Sequence, residues 1–220
     1  MANDIQARFN VARDSYAKVE SILRDMTEKV VSFESDFRHD WAMLQYDLIL
    51  QSVLLAQAIA DGKYLAIENS FIRQITDYGD ITLAFNQKAS DENLGLEELD
   101  WDGLAELIIS ADDERRVKLV TIFTSIAWDY SNTLIGFFAP VDAVIERDFL
   151  KEIVDATVII LFAFTEIDGD SVEQRHEAGS DADRELTIAV SMLENLLVKR
   201  WKQKIAEFEA WRRRNNPDAE

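Results

Sequence analysis

The chain has 220 residues, 48% hydrophobic and 30% charged, enough to bury one sizeable core in a single domain over 1–220. Its formal charge of −19 argues against a general nucleic-acid binder, because phosphate contacts need clustered Lys and Arg. Zero cysteines exclude disulfides, thiolate metal sites and cysteine nucleophiles, and 7 glycines with 2 prolines leave long helical patterns almost unbroken. The expected fold is all-α, a compact multi-helix bundle of about eight helices.

The first residues, Met1-Ala2-Asn3-Asp4-Ile5, lack a basic region and an apolar core, so no secretory signal is read and cytoplasm is the expected compartment. Ile5, Phe9, Ala12, Tyr16, Val19, Leu23, Met26, Val30, Phe33 and Phe37 then follow alternating spacings of four and three. That seam predicts one long amphipathic helix over 1–38. It reads either as an edge helix docked on its own domain or as a coiled-coil helix. A homodimer or protein-partner interface is the expectation, with an intramolecular hairpin against the C-terminal helix as its rival.

Asp40 suits the N-cap of a second helix, in which Trp41 to Ala60 is apolar on most faces and so predicted buried. Gly62 ends it, a short helix from Ala66 stops before Gly79, and Asp80 caps the next, through Ala89. After a loop from Ser90 to Gly95 comes a weaker helix over Glu97 to Ser110. Asp112, Asp113 and Glu114 suit the positive end of a helix that runs to Phe138. Pro140 opens another, ending near Ile167. Its apolar run Val158 to Phe164 is far short of the roughly 20 residues of a membrane span, so no transmembrane segment is expected.

Glu166 to Asp183 reads as a long acidic loop. The last helix, over 183–214, carries an apolar stripe of Leu186, Val190, Leu193, Leu197, Trp201, Ile205, Phe208 and Trp211. Its far part holds Lys199, Arg200, Lys202, Lys204, Arg212, Arg213 and Arg214, the one basic cluster on an acidic chain. Core packing with solvated charge is the first reading; peripheral contact with an anionic membrane or an acidic partner is the second.

Two features carry candidate chemistry. In the acidic loop, Glu166, Asp168, Asp170, Glu173 and Glu177 place five carboxylates within twelve residues, a donor set for a hard divalent cation. Ser171 stands where a calcium loop needs Gly, so the geometry is not an EF-hand. Asp47 and Asp155 are each embedded in an apolar helix, where a charge must pair, cap a backbone, or line an ion site. Glu173 and His176 have the spacing of a di-iron ligand pair, but no second such motif exists. No acid–base constellation can be assembled, so no enzyme is expected; a metal-dependent enzyme is the remote alternative.

Asp61-Gly62 and Asp168-Gly169 each close an apolar helical stretch at a constant offset, with Leu54 and Ala56 matching Leu161 and Ala163. The first continues to Glu68, at the start of the next helix. This apolar helix, Ala-Asp-Gly and Glu pattern resembles the TerB-like tellurite-resistance family, over Leu48 to Ile75 and more loosely over Phe149 to Glu173. Ala66 stands where that family places a polar cap, and Arg175 is the counterpart of Glu68. The resemblance implies a helical core over 40–180, a non-enzymatic stress-response role, and carboxylates suspected of binding metal. The candidate ligands are Asp61, Glu68, Glu166, Asp168, Asp170 and Glu173, with both turns near one end of the bundle. The competing reading is a helical interaction or dimerisation module with no ligand.

Overall fold

Tyr46, Ile49, Leu50, Val53, Leu54 and Leu55 occupy every face of one helix and are at most 1% exposed, which puts that helix at the centre of the molecule. The computed structural model describes residues 2–29, 35–61, 66–91, 96–138, 149–167, 187 and 189–215. Its helices are α1 (Ala2–Glu28), α2 (Ser35–Asp61), α3 (Ala66–Ile75), α4 (Ile81–Asp91), α5 (Trp101–Ile109), α6 (Asp113–Phe138), α7 (Phe149–Thr165) and α8 (Arg200–Asn215). A π-helical turn, Glu194–Lys199, leads into α8. Among the described residues there is no strand, and the all-α bundle stands.

Side-chain pairs fix the directions of the four long helices. Tyr16 meets Asp47 at 2.6 Å and Arg24 approaches His39 at 3.5 Å, so α1 and α2 are antiparallel. Arg8 pairs with Glu166 at 2.6 Å, and Lys29 lies 4.5 Å over the Phe149 ring, so α1 is also antiparallel to α7. Trp41 packs on Phe137 with ring centroids 4.7 Å apart, joining the start of α2 to the end of α6. Tyr46 with Thr157 at 2.9 Å, and Gln57 with Thr165 at 2.7 Å, make α2 and α7 parallel. α3 closes one pole through Phe71, and α4 lies on α6 through the stacked Phe85 and Phe123 rings. Over Phe37–Ala60, α2 is long and apolar enough to cross a membrane, but 94% of its most apolar window is buried against these neighbours.

The long seam helix is corrected: α1 stops at Glu28, where the Lys29 N–H turns back to the Met26 carbonyl at 3.2 Å. Adjacent Val30 and Val31 followed by Ser32 weaken helix propensity there. Reversal also lets the chain bury both sides against itself. α2 begins at Ser35, so Asp40 lies inside it, exposed, and not at its cap. Phe9 through Met26 of the seam are buried in the chain's own core; Phe37 is 71% exposed on α2, and Val30 and Phe33 lie outside the described residues. The helix that covers α1 is α7, not the C-terminal helix, so among the described residues the seam from Phe9 to Met26 faces the chain's own core.

The remaining boundaries follow their caps. Asp80 accepts from the Thr82 N–H at 3.0 Å, and Asp112 from the Arg115 N–H at 2.9 Å, as their sequences predict. α5 starts at Trp101, later than Glu97, because Asp100 takes the cap and accepts from the Gly103 N–H at 2.9 Å. The C-terminal stripe is buried at Leu193, Leu197 and Trp201 and half-buried at Val190 and Ile205, while Trp211 is 55% exposed; Leu186 and the Phe208 side chain lie outside what is described.

Candidate functional site

Gln51 and Asp47 sit one turn apart on α2 and together hold the connection between α3 and α4. The Asp47 carboxylate accepts from the Tyr16 hydroxyl at 2.6 Å, the Tyr78 N–H at 2.6 Å and the Gly79 N–H at 3.0 Å. Gln51 donates to Thr76 Oγ1 and to the Gly79 carbonyl, at 2.7 and 2.8 Å, and accepts from the Ile81 N–H at 2.9 Å. Glycine is needed at 79 for reach: a Cβ there would lie 2.8 Å from Asp47 Cβ. Of the readings open for Asp47, capping a neighbouring backbone is the one realised.

Burial nevertheless dominates its protonation, raising the Asp47 pKa to about 6 against the lowering effect of its three hydrogen bonds; nearby Asp77 raises it further. Burial also pushes up the Tyr16 and Tyr46 hydroxyls, reinforced at Tyr16 by Asp47 and offset at Tyr46 by its bond to Thr157. Beside this latch, His39 is buried with Nε2 3.5 Å from Glu20, which also accepts from the Tyr78 hydroxyl at 3.3 Å. Its Nδ1 has no hydrogen-bond partner among the described residues. Position 39 gave no sign of this: Glu20 and Tyr78 are far away in sequence.

The candidate metal ligands divide. Asp61 closes α2, Glu68 is buried in the first turn of α3, and Glu166 is held by Arg8 at 2.6 Å. Asp168, Asp170 and Glu173 lie outside the described residues, as do Gly62, Gly169, Arg175 and His176. Among the described residues, no group of three or more His, Asp or Glu side chains is placed to hold a metal ion. The Gln57–Thr165 bond does bring together the helix ends that precede the two Asp-Gly pairs. Asp155 is corrected: it is exposed and bonds Lys151 at 2.8 Å, because α7 turns that face to solvent.

Two clefts open on the face made by α4, α5 and α6. Asn86 creates the first by gripping the Leu99 backbone twice, donating to its carbonyl at 2.8 Å and accepting from its N–H at 3.0 Å. The cleft, of about 390 Å³, lies between Leu83, Gln87, Leu96, Glu97 and Glu98. The second, about 210 Å³, lies between Leu96, Leu107, Arg115, Lys118, Leu119 and Ile122. Leu96 is common to both and 41% exposed, and Leu83 at the rim is 73% exposed. Aliphatic walls edged with charge bind side chains of a partner more readily than they perform chemistry. Sequence periodicity missed this face, because its apolar residues come from separate elements. Comparison with protein-family models, with curated proteins and with solved structures gave no match.

Proposed function

We propose that this chain is a non-enzymatic helical binding module whose α4–α6 face receives a protein partner. The adjoining clefts that share Leu96, with Leu83 exposed at their rim, carry this reading. An apolar anchor set in a polar rim is the arrangement in which a few residues supply most of an interface's energy. A photo-crosslinking side chain introduced at Leu83 is expected to give a discrete adduct in cells, and Leu96→Asp to abolish it. An adduct pattern no different from that of the same probe at exposed Glu28 would overturn the reading.

A second reading keeps the stress-response role implied by the TerB-like resemblance, with a divalent cation at the acidic turns. The Gln57–Thr165 bond favours it, since it sets the end of α2, which Asp61 closes, beside the end of α7. Confined carboxylates repel one another, and a cation relieves that repulsion. Calcium, magnesium, manganese or zinc at about 100 times its dissociation constant would stabilise the fold by about 2.7 kcal/mol. Asp168→Asn with Asp170→Asn is expected to remove that rise in melting temperature. No rise with any of the four ions in the unaltered protein would mean that the loop is simply solvated.

A further inference from the structure

The C-terminal helix runs past the end of α6. Ala189 and Met192 border Val120 and Thr124 near the start of α6, and Arg200 Nε donates to Asn132 Oδ1 at 2.7 Å, so the two helices ascend together. Beyond that bond α6 ends at Phe138 while α8 continues to Asn215, an overshoot of about 14 Å at about 1.5 Å per residue. Every described side chain from Ala206 to Arg214 is exposed. The projecting part, residues 206–214, holds three Arg and two Glu, a net +1; with the turns beside α6, residues 199–214 reach a net +5, which leaves −24 on the rest of the chain.

The opposite charge is concentrated around the clefts. Residues 91–114 contain ten Asp or Glu and no Lys or Arg. Glu97, Glu98, Asp100, Asp102 and Glu106 are all exposed there. Arg115 and Lys118 also line the second cleft and are exposed, Lys118 paired with Glu114 at 2.7 Å. These residues flank the beginning of α6, whereas α8 leaves from its end. Leu119 lies thirteen residues below Asn132, and Arg214 fourteen above Arg200, so tip and cleft are about 40 Å apart along the bundle. A straight helix cannot close that distance within one molecule.

We propose that the α4–α6 clefts of one molecule receive the projecting α8 of a second copy, so that the chain assembles head to tail. This rests on the binding-module reading and names its partner. Made head to tail and not reciprocated between the same two copies, the contact is heterologous and propagates into a ring or an open filament. In that contact the exposed Arg213 and Arg214 meet the carboxylates around the clefts, and exposed Trp211 supplies an apolar anchor for Leu83 and Leu96. At about 0.1 M salt, screening over about 10 Å mutes the long-range repulsion between acidic bodies while leaving contacts at the tip effective.

Sedimentation of the purified full chain at that salt is expected to show a mass that rises with concentration beyond a dimer and falls back to one chain in 1 M salt. Arg212→Glu, Arg213→Glu and Arg214→Glu together should raise the dissociation constant at least about tenfold. Adding Glu97→Lys and Glu98→Lys should recover most of that loss; circular dichroism verifies that each variant is folded. A single-chain mass at every concentration overturns the self-assembly, as does an association indifferent to both charge reversals. If that monomer instead binds vesicles of anionic lipid through α8, the basic helix is a membrane contact and the proposal falls. A monomer that still gives the Leu83 adduct in cells refutes the second copy as partner while sparing the binding module; loss of the adduct as well removes both.

Discussion

Asp47→Leu is expected to remove about 3 to 6 kcal/mol of stability, enough to leave much of the chain unfolded, whereas Asp47→Asn should cost little at neutral pH. Leucine fills the volume but leaves the Tyr16 hydroxyl and the Tyr78 and Gly79 N–H groups without their acceptor. The Tyr16 bond is buried and the two N–H bonds partly so; a buried donor so orphaned costs about 1 to 3 kcal/mol, a partly buried one less, and native domains hold only about 5 to 15 in total. An asparagine oxygen can still accept from the two backbone groups while its amide meets the Tyr16 oxygen.

The same pair of variants separates hydrogen bonding from charge. The Asp47 pKa stands at about 6 in the folded chain, above an unfolded value of about 3.9. The folded state therefore binds this proton more tightly. Its contribution is fully present below about pH 4 and is lost as pH rises through about 6, a difference of roughly 3 kcal/mol. In urea titrations at a series of pH values, Asp47→Asn should lack this fall between pH 4 and pH 6.5. A variant curve parallel to that of the unaltered protein would show that Asp47 titrates as an ordinary carboxylate.

Helical periodicity made most of the framework legible. The stretch from Trp41 to Ala60 announced a buried helix because it has no polar face, and Asp80 and Asp112 marked helix starts through side-chain oxygens that reach only local N–H groups. The heptad seam misled beyond Glu28 because a pattern of apolar residues also fits two helices that fold back on a common core. Asp47 could be singled out as a buried charge, yet its partners at Tyr16, Tyr78 and Gly79 are products of tertiary structure. Leu83 and Leu96 drew no notice at all, since two exposed leucines on separate elements form a face only after Asn86 has pinned Leu99.

Phe71→Ala is the second substitution with a large expected effect, a loss of about 4 kcal/mol. Phe71 is fully buried, with ring centroids 5.0 Å from Phe9 of α1 and 5.4 Å from Phe164 of α7. Truncation opens a cavity at the junction of three helices, and Phe-to-Ala changes in cores cost about 3 to 5 kcal/mol. The effect should also be local. At 10 residues, α3 is too short to persist alone, since isolated helices below about 12 to 15 residues are marginal. Hydrogen exchange is therefore expected to show α3 amides losing protection well before those of α6. A loss under about 1 kcal/mol with α3 still protected would mean that Ile72 and Ile75 alone anchor the helix. Because α3 carries Glu68 beside the end of α2, its release should weaken any stabilisation by a divalent cation. A cation effect undiminished in Phe71→Ala would confine the ligands to the acidic loop.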